Sequence, residues 1–186
     1  QDSLAAATNP AGMAMVGDRV DVGLVWFRPI RSAQLETGYP PINGNYSGSD
    51  TKDFLIPEFG YNRMLSPTMP VGISVYGNGG MNSDYKKGIP LFGNSSAGVD
   101  LSQLFIAPTL AIQVAPGHAV GVSANLAYQR FKAHGLQNFT GPCPSCFSSS
   151  PGNVTNRGYD SATGWGVKVG YTGKITDAVT IGATYQ

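Results

Sequence analysis

Charge is scarce in this chain of 186 residues, where Asp, Glu, Lys and Arg together make up 12%. The twelve Lys and Arg are scattered rather than gathered in a stripe, and the formal net charge is +1. A surface that tracks phosphate backbones needs concentrated positive charge, so nucleic acid is excluded as a partner. Long apolar runs are missing as well. A helical membrane span takes roughly 20 consecutive apolar residues, and every run here is broken by Gly or a polar residue well before that length. Histidine occurs twice, His118 in a short turn and His134 at the start of a long connection, with no ligand partner at metal spacing. No metal and no cofactor are expected. Neither G-x-S-x-G nor a Ser, His and Asp set in a recognisable context is present, so no enzyme is expected.

The chain is rich in turn formers, with 25 Gly and 13 Pro, which work against long helices and favour strands joined by turns. Seven segments alternate with period two. The clearest puts Val120, Val122, Ala124, Leu126 and Tyr128 on one face and Gly121, Ser123, Asn125, Ala127 and Gln129 on the other. The first, third, sixth and seventh follow the same rule, from Val20, Val71, Trp165 and Val179 respectively. The second (about 55–64) and the fourth (about 103–114, carrying Pro108) alternate less cleanly. Aromatic residues (Trp26, Tyr128, Trp165, Tyr171, Tyr185) stand near the ends of the greasy faces, as interfacial girdles do.

The connections alternate in length. Long ones cover residues 30–54, 78–102 and 132–162, and short ones cover 65–69, 115–118 and 174–178. One rim of tight turns and one of long loops is the pattern of an outer-membrane barrel, with the long loops outside. The reading is all-β: a transmembrane antiparallel up-and-down β-barrel with about seven strands present. Seven is odd and the last pattern runs to Gln186, so the expectation is an incomplete chain whose remainder closes the barrel. Any secretion signal is expected to have been removed.

Cys143 and Cys146 sit in the loop-like run 141–147. C-x-x-C serves redox chemistry or half a metal site when a helix or further ligands accompany it. Neither does here, and the reading is a small disulfide-closed loop in an oxidising compartment.

Ahead of the first segment lies Ser3-Leu4-Ala5-Ala6-Ala7-Thr8-Asn9-Pro10-Ala11-Gly12-Met13-Ala14, which does not alternate. Together with 56–61, 70–77, 106–111, 164–166 and 181–185 in order, it resembles the N-terminal half of the long-chain fatty acid and aromatic hydrocarbon outer-membrane transporters of the FadL/TodX type. The resemblance implies a fourteen-stranded barrel with a hatch segment inside it, of which residues 1–17, with the motif Asn9, Pro10 and Ala11, are the C-terminal part, and 18–186 the first seven barrel strands. It also implies a kink in the third strand that opens the wall sideways. The matching stretch is Gly77, Asn78, Gly79 and Gly80, where glycines permit a bulge or, on the alternative reading, begin a flexible loop. An outer docking site would use the third long loop, with Leu136, Phe139 and Phe147 as apolar candidates, unless these are ordinary packing residues.

The implied function is passive transport of a hydrophobic small molecule across the bacterial outer membrane, with that ligand and outer-membrane lipid as partners and a monomeric full-length chain. The rivals are a general porin and a structural or adhesive barrel.

Overall fold

A computed structural model describes residues 2–93, 95–141 and 147–186. Among them nine strands form: β1 (Arg19–Phe27), β2 (Ser32–Leu35), β3 (Gly44–Ser47), β4 (Phe54–Ser66), β5 (Met69–Tyr85), β6 (Ala97–Ala115), β7 (His118–His134), β8 (Asp160–Lys174) and β9 (Thr180–Tyr185). Seven of them make one antiparallel sheet in the order β1-β4-β5-β6-β7-β8-β9, each long strand beside its predecessor. These seven are the segments expected from the alternation. The remaining two, β2 and β3, pair only with each other.

Alternation decides which face each side chain takes. In β7 the even residues Val120, Val122, Leu126 and Tyr128 are exposed, whereas Ala119, Ser123 and Asn125 are buried on the other side. The ladder carries this phase across the sheet. Val22, Phe59, Val75, Ile106, Leu126 and Trp165 lie opposite one another from β1 to β8 and form a continuous apolar row on the outer face. The inner face at neighbouring positions is Gly60, Ser74, Ala107 and Asn125, small or polar throughout. In hydrocarbon the greasy row needs no further protein cover, and the backbone is satisfied by the ladder itself.

Tight turns close one rim. Ala115 pairs with His118 across Pro116 and Gly117, and Gly117 stands at φ +78°, a left-handed conformation that a side chain resists.

At the other rim the strands run further than the alternation suggests. β5 continues to Tyr85 and β6 begins at Ala97, so the second long connection shrinks from 78–102 to 86–96, and the third to 135–159. The cause is physical. Past the lipid zone the outward residues are Asn82, Asp100 and Lys132 and the apolar ones, Met81, Leu101 and Phe131, turn inward, so the greasy outer face ends while the ladder carries on. The first long connection also differs from a plain loop, since it contains the β2–β3 hairpin. Four-residue strands leave too short a period to read.

The two faces of β7 therefore predict opposite sensitivities. Val122→Arg places a charge in the apolar band and should lower the unfolding free energy of the full-length barrel by about 2–4 kcal/mol. Ala127→Arg, directed inward on the same strand, should change it by less than about 1 kcal/mol. Urea titration of both variants in lipid vesicles checks this, and equal losses would contradict the assignment of faces.

Candidate functional site: an interior plug and a gap in the wall

Residues 3–16 do not pair with the sheet. They fold into two 3₁₀ turns, Ala5–Ala7 and Pro10–Met15, that lie against the inner face, with Ser3, Ala6, Pro10, Ala11 and Met13 buried. The motif residues have distinct tasks. Asn9 is extended (φ −148°), and its side-chain oxygen accepts from Ala11 N at 3.0 Å, which caps the second turn. Its amide Nδ2 donates to the carbonyl of Tyr171 in β8 at 2.9 Å. Pro10 occupies the first turn position, where a missing N–H costs nothing.

A segment this close to a sheet requires a wall without side chains at the points of contact. A Cβ on Gly121 would lie 2.5 Å from Ala11 N, one on Gly72 2.5 Å from Met13 Cε, and one on Gly170 2.8 Å from Pro10 Cδ. The buried carbonyls of the plug also need donors, because an unpaired one costs about 1–3 kcal/mol. The wall supplies them. Asn62 Nδ2 donates to Met13 O (3.2 Å) and Gly17 O (2.8 Å), Ser74 Oγ to Ser3 O (2.8 Å), and Lys168 Nζ to Ala7 O (2.8 Å). In return Ser3 donates through N (2.9 Å) and Oγ (2.6 Å) to Asp21 Oδ2.

Beside the plug the wall is interrupted. The β4–β5 ladder ends where Phe59 faces Val75, yet β4 extends back to Phe54 along β1, and β5 extends on to Tyr85 along β6. The two strand edges, 54–58 and 77–85, therefore face each other with no ladder between them. The register of β5 against β6 shifts between Gly77 and Gly79, leaving Asn78 as the extra residue. That bulge reverses the phase: Tyr76, opposite Phe105, and Gly79, opposite Gln103, both take the inner face. Gly79 and Gly80 stay paired with Gln103 and Ser102, so the stretch does not begin a loop.

The gap is bounded above by the first long connection. Asp84 N donates to Gly48 O at 2.9 Å and Asp50 N to Asp84 O at 3.2 Å, while Arg31 reaches Gly48 O through Nε (3.1 Å) and Asn82 Oδ1 through Nη2 (3.3 Å). Between these limits Ile56 projects across, its Cγ2 2.9 Å from where a Cβ on Gly77 would be.

The outer loops are joined above this. Asn138 N donates to Phe92 O (3.0 Å) and its Nδ2 to Leu91 O (3.0 Å). The Phe139 ring lies 5.6 Å from Phe92 and 5.4 Å from Phe147, which is largely exposed. Leu136 is half-buried in the same loop, its N–H held by Thr155 Oγ1 at 3.1 Å. Cys143 and Cys146 lie outside the described residues.

The structure thus brings Asn9, Pro10 and Ala11 together with wall residues not singled out as site candidates, namely Asp21, Asn62, Ser74 and Lys168. Each is a polar side chain at an inward phase, a pattern shared with other inward positions that does not by itself mark a contact. Ile56 and Phe92 carried no local signal, because their role depends on contacts distant in sequence.

An antiparallel wall that is apolar outside, and small or polar inside where its own N-terminal segment lies against it, defines a plugged outer-membrane β-barrel. The chain belongs to the outer membrane protein transport protein family (OMPP1/FadL/TodX), whose model matches residues 1–186. Among solved structures it is similar to the P. putida toluene transporter TodX, at 18% identity and a TM-score of 0.70, over 95% of this chain and 49% of that one. It is also similar to a Pseudomonas aeruginosa FadL homologue, at 15% identity and a TM-score of 0.60, over 96% and 45%. The chain spans about half the length of these barrels. No curated protein matches it in sequence.

The glycine contacts give a direct test of the plug. Gly121→Val should overlap the Pro10–Ala11 backbone and cost about 1–3 kcal/mol of docking. Limited proteolysis of the full-length protein should then cut residues 3–16 faster while the barrel keeps its resistance to detergent. Unchanged cleavage would show that the segment is not seated there.

Proposed function

We propose that this chain forms the entry half of a passive outer-membrane channel for hydrophobic small molecules. In this reading a solute collects on the apolar loop cluster of Phe92, Phe139 and Phe147, with Leu136 behind it. It enters the lumen when the segment around Asn9, Pro10 and Ala11 shifts, and leaves sideways between β4 and β5 at Gly77, Asn78, Gly79 and Gly80. The observation that carries the proposal is the interrupted ladder. A barrel wall in lipid ordinarily pairs every edge, and an unpaired one is expensive unless it lines a passage or is covered by protein.

A sideways exit also suits the cargo. A greasy solute that passes through the wall beside Tyr76 and Phe105 goes directly to hydrocarbon and avoids the small and polar inner positions around Gly60, Ser74 and Asn125. The similarity to a toluene transporter and to a FadL homologue supports aromatic hydrocarbons and long-chain fatty acids as the classes to test first. No energy source enters the scheme, since partition down a gradient suffices.

The test is uptake of labelled toluene and of a labelled long-chain fatty acid by cells carrying the full-length gene, with and without deletion of Asn9 to Ala11. At least one solute should enter above the no-gene control, and the deletion should change its rate, since it removes the cap and the anchor to Tyr171. Entry of small sugars and ions in place of both solutes would replace the proposal with a general porin. No uptake of any solute would favour an adhesive or structural barrel.

A further inference from the structure

Above the apolar band, on the lipid-facing side of β6, β7 and β8, the outer surface changes character abruptly. Ser102, Arg130 and Ser161 lie opposite one another in one outward row, and Asp100 faces Lys132 in the next. Both cations converge on one ring: Arg130 Cζ and Lys132 Nζ each lie 4.8 Å from the centroid of Tyr159. Tyr159 is fixed in turn by its hydroxyl, which donates to Asp100 Oδ2 at 2.5 Å, and Arg130 Nε donates to Ser102 Oγ at 3.0 Å. The cluster holds two positive charges and one carboxylate, and that carboxylate already accepts from the phenol.

Immediately toward the membrane centre the same face is hollow. Leu104, Ile106, Leu126, Tyr128, Thr163 and Trp165 line a depression. Tyr128 is two residues from Arg130 on the same face, a separation of about 7 Å along the strand. A preorganised cationic pair thus stands one step above an apolar recess, on the surface that meets lipid and at the rim that carries the long loops. Phosphate groups on an outer-leaflet lipid and the acyl chains beneath them have the same order and spacing.

We propose that this surface is a docking site for a phosphorylated outer-leaflet lipid of the lipid A type. Arg130 and Lys132 hold a phosphate of the headgroup, and an acyl chain lies in the recess between Leu104, Leu126 and Trp165. The site is on the opposite face of the sheet from the plug and serves no step of transport. It would keep one lipid in place against the outer wall and fix the depth of β6 to β8 in the membrane. A soluble anion would gain the charge contacts alone, whereas a lipid gains those and the apolar burial together.

The test is native mass spectrometry of the full-length protein in detergent with purified lipid A. One lipid A should remain bound per barrel. The double variant Arg130→Ser with Lys132→Ser should weaken retention on the order of tenfold or more, while Arg130→Lys should retain most of it. Leu126→Asn, which leaves the cations in place and makes the recess polar, should also weaken it. Equal retention by the wild type and the double variant would overturn the proposal, as would displacement of the lipid by millimolar inorganic phosphate, which would mark a free-anion site.

Discussion

A stretch of backbone without strand partners is buried against a β-sheet, and the rest of the interior follows from what that burial demands. Residues 3–16 bring peptide groups into a space from which solvent is largely removed, and carbonyls that their own turns leave over must find a donor on a wall whose backbone is committed to its ladder. The donors are side chains on the inward phase: Asn62, Ser74 and Lys168. The close approach that lets them reach is possible because Gly72, Gly121 and Gly170 present bare backbone. A wall built for tight packing would have used larger residues at these positions. Small and polar residues instead give a contact that joins these hydrogen bonds to a small apolar cluster, in which Ala6 and Met13 meet Ala111 of the wall.

The gap between β4 and β5 depends on the same economy of the inner face. Its lower limit is the last ladder pair, Phe59 with Val75, and the adjoining inward positions Gly60 and Ser74 are those that touch Ser3. The plug and the end of the ladder are therefore neighbours. The bulge at Asn78 lets β5 leave β4 while remaining paired to β6, so the departure costs the wall one ladder and not two. Arg31 and the 48–50 segment tie the far end of β5 back to the first connection, which limits the unpaired stretch at that end.

Much of this was legible in the sequence because a membrane wall obeys a strict period. Val120 to Tyr128 announces its greasy face, Gly121 to Gln129 its inner one, and the alternation of long and short connections sets the direction of the strands. The legibility fails where the solvent changes. Beyond Gly80 and Gln129 the outward residues Asn82, Asp100, Arg130 and Lys132 meet headgroups and water, so the greasy outer face ends although the strands do not, and the apolar residues Met81, Leu101 and Phe131 change to the inner phase. The hairpin of β2 and β3 is hidden for a different reason, its strands being four residues each. At the site, Asn9, Pro10 and Ala11 could be picked out through their resemblance to a known motif. Asn62 and Lys168 could not, since what distinguishes them is a carbonyl more than forty residues away.

The claim on which the account turns is that the space between β4 and β5 is the passage. It is tested by locking that space in the full-length protein, with Ile56→Cys and Gly77→Cys introduced together and Cys143 and Cys146 changed to Ser. The contact of Ile56 with the Gly77 position suits a disulfide. The account predicts that uptake of the hydrophobic solute falls to the no-gene level when the pair is oxidised and returns when it is reduced. Uptake unaffected by oxidation, with the disulfide shown to have formed, would contradict it.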